Sequence, residues 1–192
     1  MVDLVGLHKH FIMEHLREGD IAVDFTMGNG NDTLFLSKAV GESGRVYAFD
    51  IQEEALTSTR EHLVANGAPE NYTLICASHH RVREFVNEQI KAGMFNLGYL
   101  PRSGRKAVTT MRETTMPAVE AALELLAPDG VLIVAIYPGH EEGALEGEML
   151  REYFSGLSKY RICPSEFKIL KSPPSPYFFL VEKSPKAKFG EI

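Results

Sequence analysis

The sequence predicts an α/β fold: a doubly wound, seven-stranded, mostly parallel sheet with helices on both faces. Three observations predict it. Apolar runs of strand length alternate with helical patterns nearly to the end of the chain, the signature of a parallel sheet covered on both sides. A glycine-bearing stretch, FTMGNGNDT from Phe25 to Thr33, joins the first such run to a helical pattern. The Pro-rich segment Ser172 to Pro176 divides the last two runs, which suits an antiparallel, hairpin-like ending because proline is excluded from a central strand.

In chain order, a helix is predicted over Leu4 to Leu16, followed by strand Ile21 to Phe25 and helix Asp32 to Val40. Strand Val46 to Asp50 and helix Glu54 to Asn66 make the second unit. Strand Thr73 to Cys76, a helix through Val82 to Ile90 and strand Met94 to Leu97 come next. Helix Met111 to Leu126 is parted from strand Val131 to Ile136 by the turn Pro128-Asp129-Gly130. Helix Ala144 to Leu157 and strands Arg161 to Phe167 and Tyr177 to Glu182 complete the seven. The 192 residues are read as one domain, with an N-terminal helix in residues 1–18 and a flexible tail at 184–192.

Composition, 44% hydrophobic and 24% charged, is that of an ordinary globular protein without repeats. No apolar run approaches the ~20 residues that cross a bilayer, so no membrane partner and a cytoplasmic location are expected. Cys76 and Cys163 form no CxxC pair, which speaks against a zinc site or a disulfide framework; both are expected as reduced core thiols. No metal site is expected. His8, His10 and His15 lack metal-ligand spacing and are expected to face solvent. The net charge of −6 argues against indiscriminate nucleic-acid binding, which draws on phosphate neutralisation. It leaves room for one basic patch, and Arg102, Arg105, Lys106 and Arg112 form it.

In a doubly wound sheet the ligand lies at the carboxyl ends of the strands, near the reversal of strand order. Four segments there carry the chemistry. Gly28 and Gly30 let backbone approach a ligand where a side chain would block it. Asp24 ends the strand and Asp32 falls near the cap of the next helix. A pyrophosphate would have to sit against that carboxylate, whereas a cationic group such as the ammonium of a methionine moiety would be welcome. That favours S-adenosyl-L-methionine over a dinucleotide. Asp50, about 20 residues further on, suits the two ribose hydroxyls, with Gln52 beside it. Ser78 and His79, after the third strand, are candidates for the adenine edge.

The fourth strand ends in FNLGYLP. An Asn carbonyl there can hold the hydrogens of a nitrogen nucleophile so that its lone pair lines up with the S–CH₃ bond, and Tyr99 can stack on a base. No cysteine is placed to form the covalent adduct used in C5-methylation of pyrimidines, which favours direct transfer to nitrogen or oxygen.

Together, DFTMGNGNDTLFL, AFDIQEEAL, FNLGYLP, RETT and IYPGHEEG resemble the YtqB/MnmM-like family of Rossmann-like class I S-adenosylmethionine-dependent methyltransferases, over about Gly19 to Lys183. The resemblance implies methyl transfer to the aminomethyl nitrogen of tRNA wobble uridine 34, giving 5-methylaminomethyl-2-thiouridine, with the anticodon stem-loop as partner. By matching motif it places Met27, Asn29, Asn31, Asp50, Gln52, Ser78 and His79 on the cofactor and Asn96, Tyr99, Tyr137 and His140 on the substrate side. The family pattern continues NLGYLP with a Gly-Asp pair and a basic residue, whereas here Arg102-Ser103-Gly104-Arg105-Lys106 follows, so no role of that Asp carries over.

Other readings compete. Fold and cofactor do not fix the acceptor, so another RNA such as rRNA, or a small-molecule amine, is the main alternative. An NAD-dependent oxidoreductase is disfavoured by Asp32 and by Thr33 where its fingerprint wants Gly or Ala. A non-catalytic RNA-binding module would need a decayed glycine loop, and this one is intact. A symmetric homodimer is one way for so small an enzyme to engage a large RNA.

Overall fold

The computed structural model describes residues 3–98, 110–139, 141–170, 175–188, 190 and 192. Its elements are α1 (Leu4–His15), β1 (Ile21–Asp24), α2 (Asn31–Val40), β2 (Arg45–Asp50), α3 (Glu53–Ala65), β3 (Tyr72–Cys76), a 3₁₀ turn (His79–Glu84), β4 (Ile90–Leu97), α4 (Arg112–Leu125), β5 (Leu126–Ile136), α5 (Glu141–Ser155), β6 (Ile162–Phe167) and β7 (Tyr177–Lys183). The sheet order is β3-β2-β1-β4-β5-β7-β6. Neighbours from β3 to β5 run parallel, and β7 pairs antiparallel with both β5 and β6. This is a Rossmann-like sheet, with the late antiparallel pair expected from the prolines.

Both faces of the central strands are buried, which explains their near-continuous apolar runs. On β5, Leu132, Val134 and Ile136 face a core shared with Ala118, Val119 and Ala122 of α4 and Leu150 and Phe154 of α5. The alternate residues Val131, Ile133 and Ala135 face the other core, with Ile12 and Leu16 of α1 and Leu36 and Val40 of α2. Strand order reverses between β1 and β4, so their carboxyl ends open a crevice for a ligand.

Several local expectations are corrected. The stretch read as a helix through Val82 to Ile90 is a short 3₁₀ turn, and Ile90 already belongs to β4. Strand β5 starts at Leu126, paired with Ile90, before the Pro128-Asp129-Gly130 segment; the register slips there and Asp129 takes φ 57°, so the turn residues form an irregularity inside the strand. His8 is buried, its ring edge-on to Phe178 at 4.2 Å, because the α1 face it occupies lies on the sheet; His10 does face solvent. His15 contacts the Asp129 carbonyl and Glu182. Both cysteines are free, but both are exposed: the core at β3 and β6 is met by other residues of those edge strands. The segment after residue 183 begins docked, with the Ser184 N–H on the Arg161 carbonyl at 2.8 Å and Ala187 buried. Among the described residues, no helix is long and apolar enough to cross a membrane.

Candidate active site

At the crevice β1 runs into a loop whose backbone only glycine accepts readily: Gly28 has φ 50° and Gly30 φ 81°. Gly30 is the N-cap of α2 and supplies no side-chain cap. The loop is pinned from beneath by Asp24, wholly buried, which accepts from the Thr33 hydroxyl at 2.6 Å and the Thr26 N–H at 3.1 Å. Burial, and then the charge of Asp32, push the Asp24 carboxyl up to about 7. From the side, the Thr59 hydroxyl of α3 donates to the Gly28 carbonyl at 3.0 Å, and the Ser58 hydroxyl donates to Asn29 Oδ1 at 3.2 Å.

Asp50, ending β2, accepts the Gly28 N–H at 3.1 Å and the Gln52 N–H at 3.0 Å. Burial raises its pKa, and these backbone donors oppose the rise. Beside it lies a cavity of about 330 Å³ walled by Phe25, Phe49, Ile51 and Ala77 and reached by Thr26, Gly28, Asp50, Gln52, Ser78, His79, His80, Asn96, Gly98, Thr110, Met111 and Thr114. The His79 ring is buried, with Nε2 lacking any protein partner. Burial lowers its pKa to about 4, so it is neutral at pH 7. A mostly apolar slot with a fixed carboxylate at one edge and an unpartnered imidazole nitrogen suits an adenosyl group: hydroxyls for Asp50, an aromatic face between apolar walls, an amine for a neutral nitrogen.

At the far end stands Asn96, on β4. Its N–H donates to the Thr26 hydroxyl at 2.8 Å and its Nδ2 to Asp32 Oδ2 at 2.7 Å, while its Oδ1 accepts from the Tyr137 hydroxyl at 3.4 Å. Burial, with Asp32 nearby, raises the Tyr137 pKa, so this phenol stays protonated at neutral pH. Among the described residues no group of three His, Cys, Asp or Glu side chains could hold a metal ion.

Residues 46–183 match the family described as "Putative rRNA methylase". The chain belongs to that family. It is 36% identical over 185 residues to a protein of Arabidopsis thaliana named tRNA (mnm5s2U34)-methyltransferase, chloroplastic; the match covers 91% of this chain and 67% of that one. A solved "putative rRNA-methylase" from Clostridium thermocellum superposes with TM-score 0.91 at 36% identity, covering 95% of this chain and 98% of that one. SMU.1697c, described as "a putative methyltransferase" from Streptococcus mutans and solved in complex with SAH, gives TM-score 0.86 at 34% identity, covering 95% and 99%.

Of the residues expected at the cofactor site, Gly28, Asp50, Gln52, Ser78 and His79 reach the cavity. Asp24, Met27, Asn29, Gly30, Asn31 and Asp32 are not among its walls. Asp24 lies beneath the loop, Met27 is a core side chain, and Asn29 is taken up by Ser58. Asp32 is no helix cap; it bonds to Asn96 instead. On the substrate side, Asn96 and Tyr137 are brought together. Tyr99, His140, Arg102, Arg105 and Lys106 lie outside the described residues. Arg112 is not a free cation: its Nε and backbone N both meet Glu142 Oε1, at 3.0 and 3.1 Å, an acid contributed by α5 that its sequence neighbours do not show.

Sequence reasoning missed Thr26 and the wall formed by Thr110, Met111 and Thr114. No periodic signal existed for the latter, since Thr110 and Met111 precede α4 and Met111 is extended. It also missed Glu146, wholly buried in α5, which accepts from the Thr115 hydroxyl at 2.5 Å and the Thr110 hydroxyl at 2.8 Å and so ties that wall to the fold.

Proposed function

We propose that this chain methylates the aminomethyl nitrogen of 5-aminomethyl-2-thiouridine at wobble position 34 of tRNA, using S-adenosyl-L-methionine and engaging the anticodon stem-loop. The observation that carries the reading is Asn96: an amide held on the cavity wall at the carboxyl end of β4, with its carbonyl oxygen turned away from Asp32. The name of the Arabidopsis relative supports the substrate.

Asp50 and Gln52 would hold the ribose, Ser78 and His79 the adenine edge, and Gly28 would give the close backbone approach. When bound there, the cofactor would supply a sulfonium methyl to the amine nitrogen, and the proton that nitrogen then sheds would pass to water. Asn96 Oδ1 accepts an amine hydrogen and so aims the lone pair, which is the positioning contribution to rate. An aminomethyl group is mostly protonated in water at pH 7, and the apolar cavity lowers its pKa towards the reactive neutral form. Tyr137, protonated, donates to Asn96 and removes no proton from the substrate.

The basic residues Arg102, Arg105 and Lys106 would meet phosphates, and each such contact steepens the log-log salt dependence of binding by roughly 0.7 to 0.9. The reading places the reaction in the cytoplasm and is compatible with a homodimer.

The test is mass spectrometry of nucleosides from tRNA lacking this methyl group, after incubation with protein and S-adenosyl-L-methionine. The 5-methylaminomethyl product is expected, and it disappears with D50A. Product on rRNA or on a free amine, with none on tRNA, moves the assignment to that acceptor.

A further inference from the structure

An asparagine amide has nearly the same shape when its O and N are exchanged, so something must decide which end of Asn96 faces an incoming amine. Its surroundings do. Asp32 offers only acceptor oxygens when ionised, and it takes Nδ2 at 2.7 Å. The flipped amide would set Oδ1 against that carboxylate, two acceptors with no hydrogen between them. On the other side, the Tyr137 hydroxyl donates to Oδ1 at 3.4 Å, a longer and weaker contact. The Asn96 backbone N–H is already spent on Thr26, so the main chain at this point is fixed as well.

Asp32 makes no capping hydrogen bond at its helix terminus. It occupies the second position of α2, where a carboxylate often accepts terminal N–H groups, yet Gly30 is the N-cap and no side chain caps the helix. Nor does Asp32 belong to the cavity wall. Its charge suits the first turn of α2 and acts on Asp24 and Tyr137, and its carboxylate accepts from the Asn96 amide.

We propose that Asp32 is a positioning residue: by holding Nδ2 it locks the amide of Asn96 with Oδ1 towards the acceptor amine, and it takes no part in holding the cofactor. The inference rests on the reading that an amine is methylated beside Asn96. It replaces the expectation that Asp32 receives the ammonium of the methionine moiety, and the two roles separate cleanly by substitution.

Asparagine at position 32 keeps the shape and can still accept from Asn96 Nδ2, but it carries no charge. Alanine removes the partner altogether. Under the orientation role, D32N keeps kcat within about threefold of wild type, whereas D32A lowers it about ten- to a hundredfold, the scale of a lost charge-assisted hydrogen bond. Neither changes the Kd for S-adenosyl-L-methionine, measured calorimetrically without RNA, by more than about twofold. Because Asp32 acts through Asn96, D32A adds no further loss to N96A.

If D32N and D32A weaken cofactor binding alike, or if D32A costs as much in the N96A background as in wild type, the positioning role is overturned. A readout independent of turnover accompanies these. In ¹H–¹⁵N spectra of the free protein, the side-chain NH₂ of Asn96 should show one proton shifted and slow to exchange, moving to ordinary amide values in D32A; an unchanged signal overturns the lock. Should wild type methylate no tRNA, the proposed function fails while this spectrum still decides the amide geometry.

Discussion

The Thr33 hydroxyl donates to Asp24 Oδ2 across 2.6 Å, and both residues are wholly buried. That hydrogen bond favours the ionised carboxylate, but burial outweighs it and makes Asp24 a carboxyl that the fold prefers neutral. Burial first, and the charge of Asp32 second, raise its pKa to about 7, far above that of an unfolded aspartate. A raised pKa contributes stability that is fully present below the unfolded value near 4 and is lost as pH rises through the folded value. D24N copies the protonated form, and the Thr33 hydroxyl can turn to accept from its amide. Relative to wild type, D24N should therefore gain in Tm from pH 5 to pH 8, by several degrees at a scale of about 2–4 °C per kcal/mol. Thermal melts across that range check it, and a constant difference would refute it.

Asp50 plays a different part, since its oxygens bind the loop from the cavity side. Backbone donors including Gly28 and Gln52 fix its carboxylate at the edge of the cavity, where it can accept from ligand hydroxyls. D50A should weaken S-adenosyl-L-methionine binding by about ten- to a hundredfold, from lost hydrogen bonds to a charged group. Saturating cofactor should then recover most of kcat. Calorimetry and turnover at several cofactor concentrations separate this from a loss in the chemical step, which N96A should show instead with Kd unchanged.

The contrast between these two aspartates shows how far the sequence reaches. Period and punctuation suffice for the strands and for Asp50, because a strand-terminal acid behind a glycine loop has one place to be in a doubly wound sheet. They do not distinguish the strand-terminal Asp24, which faces down, from Asp50, which faces the cavity: both end a strand, and only the path of the loop over Asp24 decides. Contacts between distant segments are equally illegible. Asp32 to Asn96 spans 64 positions, Arg112 to Glu142 spans 30, and no local pattern signals either. The exposure of Cys76 follows from β3 being an edge strand, a property of sheet order and not of the residues around the cysteine.

Glu146 supports the cavity wall at Thr110. Its carboxylate is wholly buried and serves the hydroxyls of Thr110 and Thr115, and burial raises its pKa. E146Q can still accept from one hydroxyl and donate to the other, so its stability should stay within about 1 kcal/mol of wild type. E146A leaves both hydroxyls without that partner and opens a void, costing about 2–4 kcal/mol and lowering Tm by roughly 5–15 °C. Because Thr110 and Thr114 line the cavity, E146A should also raise KM. Equal melting of the two variants would show that the hydroxyl partners are not what holds this wall.

At Gly30 a close approach and a left-handed backbone coincide in the glycine loop. A Cβ there would stand 2.9 Å from Thr59 Cγ2 and 3.0 Å from Thr59 Cα, and φ is +81°. Two separate costs follow for G30A: about 1–2 kcal/mol for the left-handed backbone, and about 1–3 kcal/mol for overpacking against α3. Together they should lower Tm by about 5–15 °C. Gly28 moves with the loop, so the Asp50 contact loosens and cofactor affinity falls as well. T59A removes the methyl, at the cost of the hydroxyl that holds the Gly28 carbonyl, but leaves the main chain of α3 pressed against the new Cβ and the backbone strain in place, so the double variant should recover only part of the G30A loss. Melts of wild type, both single variants and the double measure that coupling. No recovery would assign the whole cost to φ and the main chain of α3, and full recovery would assign it to the Thr59 side chain.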